Sequence, residues 1–386
     1  MQIRSKHIRW VFFGLAIVLA LPLHLKSLTG LFLWVSPYMF LLSFLSQKSL
    51  VWLNALGLMA LVVIFFRKRW VCRYICPAGA VCDLASEIGR GKRKPLKLSL
   101  NKYLAIFSLI LALFGIPIFF FTDPFNIIHM SFEVFRTGTG IHSLVKASGI
   151  IFIILLNMVL PHSWCSSICP LGGLQLLVYD LRHSIRKSIS PVKVGPKSRR
   201  LFLAGIAGVV AGAVIPKQLF AGRKKFIRPP FSLPDPEFNI VCARCGNCSA
   251  VCPTRIISPS ADMLSIESFL TPGVDFSESY CLPECKLCGD VCPSGAIQRF
   301  SQEDKKDHIM AHAVIDVDDC LLQLLKECDL CRYHCKYDAI EIARTGHDQI
   351  KLPRIIEDKC TGCGACKIIC PVQVIEMVAP SSPPIQ

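Results

Sequence analysis

Five near-continuous apolar runs cross the first 215 positions, at roughly His7 to Leu25, Leu50 to Phe66, Lys102 to Phe121, Ala147 to Leu160 and Leu201 to Ile215. Runs of this length and continuity predict helices that cross a bilayer, whose apolar thickness of about 30 Å takes about 20 residues. The second and fourth runs are short for that task and need flanking residues or a thin, tilted arrangement to complete them. Beyond Pro216 the pattern changes. "KQLFAGRKKFIRPPFSLPDPEF" is basic, then proline-rich, and reads as a linker. The remainder of the chain has no long periodic segment, as expected where cofactors stand in for much of an apolar core.

Four segments result. Residues 1–190 are predicted to form a four-helix membrane domain, 197–216 an internal signal or anchor helix, 217–237 a linker, and 238–386 a soluble domain. The fold class expected is therefore an α-helical membrane domain with four transmembrane helices and a fifth, signal-anchor-like one. An α+β domain is expected after it.

Charge sharpens this division. Residues 1–216 carry 24 Lys and Arg against 5 Asp and Glu, whereas residues 217–386 carry 19 against 22. The excess clusters between apolar runs, with ten basic residues between Arg67 and Lys102 and seven between Arg182 and Arg200. That is a topology signal, and it points those connections to the cytoplasm. A nucleic-acid binder would spread its charge over a soluble face beside a reading motif, and none accompanies it.

The chain has 21 cysteines, 16 of them after residue 240. They stand two or three residues apart in four tight groups, which suits thiolates converging on metal better than disulfides. "CARCGNCSAVCP" places Cys242, Cys245, Cys248 and Cys252 in the C-x2-C-x2-C-x3-C-P order of bacterial ferredoxins, and "CTGCGACKIICP" repeats it at Cys360, Cys363, Cys366 and Cys370. Two variants lie between them. Cys281, Cys285, Cys288 and Cys292 have one extra residue in the first gap, while Cys320, Cys328, Cys331 and Cys335 have a seven-residue gap and Lys336 in place of proline. A zinc site would favour two pairs separated by a longer loop. With the fourth ligand exchanged as in two-cluster ferredoxins, Cys252 serves the second group and Cys292 the first, and Cys335 and Cys370 exchange likewise. Four 4Fe-4S clusters are expected, which makes the α+β domain over residues 238–386 ferredoxin-like, with two bi-cluster modules.

The first half carries a weak internal repeat. "SPYMFLLSFLSQ" precedes "WVCRYICPAGAV", and "TDPFNIIHMSFEVF" precedes "SWCSSICPLGGL". Cys72 and Cys76, with Cys165 and Cys169, are expected to share one further cluster; reduced free thiols or a zinc site are the alternatives. Cys82 reads as a small buried hydrophobe. His24, His129 and His142, with Asp123 and Glu133, fall where a quinol would deliver protons and electrons, although most such residues are merely solvated. No C-x-x-C-H for haem attachment occurs.

"RRLFLAGIAGVVAGA", from Arg199 to Ala213, matches a twin-arginine export signal for folded proteins, placed directly before the cysteine-rich domain. The basic residues Lys217, Arg223, Lys224, Lys225 and Arg228 resist export and leave a cytoplasmic domain as the alternative.

Through "CRYICP", "CSSICP" and "DPF", residues 1 to about 190 resemble the NapH-type membrane subunit of periplasmic nitrate reductase systems. Through "RRLFLAG", "RPPFSLPDPEF", "CARCGNCSAVCP", "VCPSGAI" and "CTGCGAC", residues 197–376 resemble the NapG and MauM-type ferredoxin subunit. The resemblance implies a fused conduit in the bacterial inner membrane. It would oxidise quinol and pass electrons from a periplasmic ferredoxin half to a terminal reductase or cytochrome. A factor donating electrons to the assembly of a copper or other metalloenzyme is the competing expectation.

Overall fold

The computed structural model describes residues 2–20, 30–48, 54–89, 100–132, 141–186, 196–215, 226–260, 267–345 and 350–380. Expectations for His24, Glu133, Lys217, Arg223, Lys224 and Lys225, and for the side chains of His142 and Arg199, fall outside the described residues. The chain divides into two units. The first comprises Met1–Phe220 with the short segments Ile240–Gly246 and Pro293–Gly295, and the second comprises Ala221–Asn239, Asn247–Cys292 and Ala296–Gln386.

Proline and small polar residues punctuate the helices of the first unit. Ser36 caps the helix Pro37–Gln47 by accepting a hydrogen bond from the Met39 N–H at 3.3 Å, with Pro37 at the first helical position. Asp123 precedes Pro124–Phe132 in the same way, its Oδ1 facing the Phe125 N–H at 3.5 Å. Cys76 and Cys169 each precede a proline that opens a helix, Pro77–Ile88 and Pro170–Arg186. Their sulfurs are thereby held at the head of a helix. The apolar core of this unit includes Tyr38, Met39, Leu42, Phe120, Phe125, Ile153 and Trp164, and Cys76, Cys82 and Cys169 pack within it.

The expected transmembrane architecture is overturned: no helix among the described residues is long and apolar enough to cross a membrane. The apolar run ending at Phe66 yields only the 12-residue helix Ala55–Phe66, about 18 Å long at about 1.5 Å per residue. The run from Lys102 breaks after the 13-residue helix Asn101–Leu113, and a 3-10 turn at Ile118–Thr122 comes next. Three helices reach 19 residues, Gln2–Ala20 with three basic residues, Ile141–Val159 with Lys146, and Pro196–Val214 with three basic residues in its first five positions. Arg9 and Lys146 are drawn inward, Arg9 onto Asp83 at 2.6 Å and Lys146 into a buried position. The four-helix membrane domain, the fifth anchor and the inner-membrane location inferred from them are corrected accordingly. Nor does the structure support a twin-arginine signal in Pro196–Val214, which packs on Asn101–Leu113. A Cβ at Gly208 would come within 3.1 Å of Ile110, and one at Gly212 within 2.5 Å of Phe114.

The second unit has little regular structure. Three two-stranded antiparallel ladders pair Ile257–Pro259 with Pro272–Val274, His312–Ile315 with Ile375–Val378, and Ile340–Thr345 with Ile350–Ile355. Short helices lie within the cysteine loops, among them Leu287–Asp290, Leu330–Tyr333 and Ala365–Ile369. Arg228 anchors the entry to this unit, donating to Thr271 Oγ1 and the Pro272 carbonyl at 2.9 Å and to Asn239 Oδ1 at 2.7 Å.

Candidate metal centres

The cysteine loops after residue 240 owe their shape to left-handed backbone at fixed offsets. In the loop from Cys360, Gly362 (φ +71°) and Gly364 (φ +84°) take this conformation, and a Cβ at Gly362 would meet the Ala311 carbonyl at 2.0 Å. At the same offsets after Cys242 stand Arg244 (φ 54°) and Gly246 (φ 79°). All four groups then place a left-handed residue three positions after their last cysteine: Arg255, Gly295, Asp338 and Gln373. The third group keeps this turn although Lys336 replaces proline. Ala339 N–H donates to Cys335 Sγ at 3.3 Å, and Ile297 N–H to Cys292 Sγ at 3.4 Å.

Three cavities show how the groups combine. One, with about 370 Å³ of empty space, is lined by Cys281, Cys285 and Cys288 together with Cys252. A second, also about 370 Å³, is lined by Cys360, Cys363 and Cys366 together with Cys335. The third, about 380 Å³, is lined by Cys320, Cys328 and Cys331 together with Cys370. In each, three thiols come from one group and the fourth from the end of another. Apolar and small residues complete the walls, Ile256 and Met310 in the first, Ala365 and Met377 in the second, Leu322 and Val374 in the third. Four thiols around an apolar cavity form a soft donor set that fits a 4Fe-4S cubane. Among the described residues, no three His, Cys, Asp or Glu side chains stand close enough to share a single ion.

Burial raises some of these thiols, chiefly by desolvating the thiolate and further through neighbouring thiols. Cys331 is pushed up to about 11 and Cys366 to about 12, and Cys360, Cys363 and Cys288 are raised as well. A thiol raised in this way holds its proton at neutral pH, so taking up metal there releases protons. Of the first group, Cys242 and Cys245 belong to the first unit and Cys248 and Cys252 to the second. Cys242 Sγ accepts from the Arg244 N–H at 3.4 Å.

In the first unit the repeat is visible in backbone detail. Arg69 (φ 54°) and His162 (φ 55°) each stand left-handed three residues before Cys72 and Cys165. Cβ atoms at Gly79 and Gly172 would lie 3.1 Å and 3.0 Å from the carbonyls of those same cysteines. The four thiols feel one another: burial is the main cause that raises Cys72, Cys76 and Cys169, and the charge of Cys165 adds to each. Gln175 donates to Cys72 Sγ at 2.8 Å.

Cys82 is buried in the apolar core, as its reading as a small buried hydrophobe expects, and its sulfur also lies 3.5 Å from Cys165 Sγ. The Cys82 thiol holds Cys165 below the ordinary thiol range, aided by the charges of Arg9 and Arg69. The signal for that contact was its place on the helix opened by Cys76–Pro77, one turn beyond Gly79. His129 is buried, as is Asp123, so neither is a solvated surface group.

An architecture of this kind, with thiols exchanged between compact loops around apolar cavities, defines a ferredoxin-type iron-sulfur protein that carries electrons. Models of a 4Fe-4S binding domain match residues 49–95 and 144–188, which hold both C-x3-C-P pairs, and another matches residues 353–376. The ferredoxin-type protein NapG of Haemophilus influenzae is 29% identical over 214 residues, covering 49% of this chain and 74% of the relative. The methylamine utilization ferredoxin-type protein MauM of Methylophilus methylotrophus is 30% identical over 156 residues, 37% of this chain and 66% of the relative. The ferredoxin-type protein NapF of Escherichia coli K12 is 31% identical over 149 residues, 39% of this chain and 82% of the relative. The chain belongs to this family of ferredoxin-type proteins. A NapH-type identity for residues 1–190 is not shown by these relatives, and no solved structure matches.

Proposed function

We propose that the protein is a multi-centre electron relay, taking electrons from a quinol and passing them singly to a reductase of the nitrate-reductase type or to a cytochrome. When bound, 4Fe-4S clusters supply the one-electron chemistry. The chain supplies the ligands. Cys281, Cys285, Cys288 and Cys252 would hold one cluster, Cys360, Cys363, Cys366 and Cys335 a second, and Cys320, Cys328, Cys331 and Cys370 a third. Cys72, Cys76, Cys165 and Cys169 would hold a fourth.

The observation that carries this reading is the crossed lining of the three cavities. Two of them exchange Cys335 and Cys370 between the same pair of loops, which links their centres through a few residues of chain, the arrangement a relay needs. Apolar walls around each set exclude water and leave the thiols and backbone N–H groups to fix the potential.

The test is to purify the chain anaerobically, measure iron and sulfide per chain, and mix it with a water-soluble quinol analogue in a stopped-flow cell. Iron and sulfide in equal amounts, with visible absorbance bleaching as the quinol is consumed, support the relay. Full iron content with no bleaching by quinol removes the quinol from the proposal, and a colourless, iron-free chain removes the whole of it.

A further inference from the structure

Lys305 is only 5% exposed and stands against one of the cysteine sets. Its ammonium donates to Cys281 Sγ at 3.3 Å, to the Leu282 carbonyl at 2.6 Å and to the Cys285 carbonyl at 2.7 Å. An ammonium has three N–H donors and no acceptor, so all three are used. The position is built from both sides. Asp304 Oδ2 accepts from Ser301 N–H at 2.8 Å and from Ser301 Oγ at 2.7 Å, and Ser301 Oγ accepts in return from Asp304 N–H at 3.1 Å, closing the turn that presents Lys305. Gln302 Nε2 donates to the Glu284 carbonyl at 2.8 Å and ties the same segment to the Cys281–Cys285 loop.

The contacts that Cys335 and Cys292 receive are of another kind, a neutral backbone N–H in each case. Among the described residues, no Lys or Arg lines any of the three cavities; Lys305 reaches its set from behind the wall, through Cys281 Sγ and the Leu282 and Cys285 carbonyls. A buried ammonium is costly unless it faces negative charge, and the two carbonyls supply only part of that. Reducing a four-thiolate cluster adds one more negative charge, and a fixed cation at hydrogen-bond distance from a ligand sulfur favours the reduced form.

We propose that Lys305 is a potential-setting residue. Acting through Cys281, its charge raises the reduction potential of the centre held by Cys252, Cys281, Cys285 and Cys288, so that this centre holds an electron its neighbours release. The inference rests on the cluster assignment above. Lys305 takes no part in binding the iron itself. A purely structural role, clamping the loop through its two carbonyls, would leave the potential where it is.

The experiment is an anaerobic redox titration of the full chain, followed by electron paramagnetic resonance, on the parent, Lys305→Gln and Lys305→Arg. Glutamine keeps N–H donors without the charge, and arginine keeps both. In Lys305→Gln, one reductive step is expected to shift so that the reduced-to-oxidised ratio at fixed potential falls about tenfold, equivalent to about 59 mV for a one-electron couple. The same ratio changes less than twofold in Lys305→Arg, and the shifted step is the one missing from a Cys288→Ala chain. Full iron with every step unmoved in Lys305→Gln overturns the proposal, as does an equal shift in both variants. If Lys305→Gln assembles one cluster fewer, Lys305→Arg decides: an equal loss there marks a packing residue and overturns the proposal, and full loading at the parental potential supports it. A parent chain without iron overturns the cluster assignment and this inference together, which separates that failure from an unmoved potential in a loaded chain.

Discussion

The two units use cysteine in opposite ways. In the first, Cys76, Cys82 and Cys169 are minor members of an apolar core built from Tyr38, Phe120, Phe125, Ile153, Trp164 and their neighbours. In the second, the cluster around Ile340 and Ile375 has Cys366 as a buried member, with Cys331, Cys335 and Cys370 packed against it. Remove the thiols from the first and a core remains. The second buries apolar side chains too, Phe238, Ile256, Phe276, Ile297 and Phe300 among them, but its ladders are only three to six residues long and its thiols stand among such side chains. Apolar burial on long helices therefore carries the first unit, whereas the second, with short elements, is expected to draw further stability from what its thiols hold.

The largest expected effect breaks this comparison open. Stripping iron anaerobically with a chelator is expected to unfold the second unit and spare the first, because structural metal in small domains contributes on the order of 10 kcal/mol. Hydrogen exchange followed by mass spectrometry reads both at once. Peptides from 267–345 and 350–380 should exchange freely in the stripped chain, and those from 55–66, 101–113 and 170–186 should keep their protection. Equal loss in both units would mean that the first also leans on its cofactor.

A smaller effect tests the exchange of ligands. Cys370→Ala is expected to cost one cluster's worth of iron, and that cluster is the one shared with Cys320, Cys328 and Cys331. The double variant Cys370→Ala, Cys328→Ala should then lose no more iron than either single variant, while Cys370→Ala, Cys363→Ala should lose twice as much. The reverse result would place Cys370 with its own loop.

Spacing made the cysteine sets legible, since three thiolates on one loop need short gaps and the exchanged fourth follows from that geometry. The left-handed turns at Arg244, Arg255 and Gln373 were not legible, because no glycine marks them; the loop contacts impose that backbone. Apolar runs located the helices but not their lengths: a run such as Lys102 to Phe121 hides a break at Gly115, where φ is +78°. Lys305 lies in "SQEDKKDH", which reads as a solvated charged turn, and its partners lie 20 to 24 residues upstream. Gln175 is 103 residues from Cys72 and Cys82 is 83 from Cys165, and distances of that kind leave no local pattern.

Asp123 sharpens the comparison from the first unit. Burial raises its carboxyl from 3.8 to about 7, opposed by the Ser36 hydroxyl and the Phe125 N–H, and its Oδ2 has no hydrogen-bond partner among the described residues. Tyr38 and Cys76 are its titratable neighbours. The unfolded chain loses this proton near pH 3.8 and the folded chain near pH 7, so between those values the unfolded state binds fewer protons. Stability of the first unit is therefore expected to fall as pH rises through that window and to level off above it. The loss is about 4 kcal/mol, since each tenfold change in proton affinity is worth about 1.36 kcal/mol. Asp123→Asn should flatten the profile, read by urea unfolding of the tryptophan signal at several pH values. A slope that survives in the asparagine variant would assign it to another group.

The smallest effect separates packing from cofactor binding most cleanly. Tyr38 is fully buried and donates to Ser108 Oγ at 2.8 Å, and Ser108 in turn donates to the Ala105 carbonyl at 2.9 Å. Tyr38→Phe keeps the ring in the core and deletes one hydrogen bond, leaving Ser108 with its own donor satisfied. The expected cost is about 1 kcal/mol in urea unfolding of the first unit. Iron content should be unchanged, since the ring holds its neighbours apart as before. A Tyr38→Phe chain that lost iron would mean that the thiols of the first unit owe their positions to this hydroxyl, and the contrast between a unit that packs and a unit that binds would no longer hold.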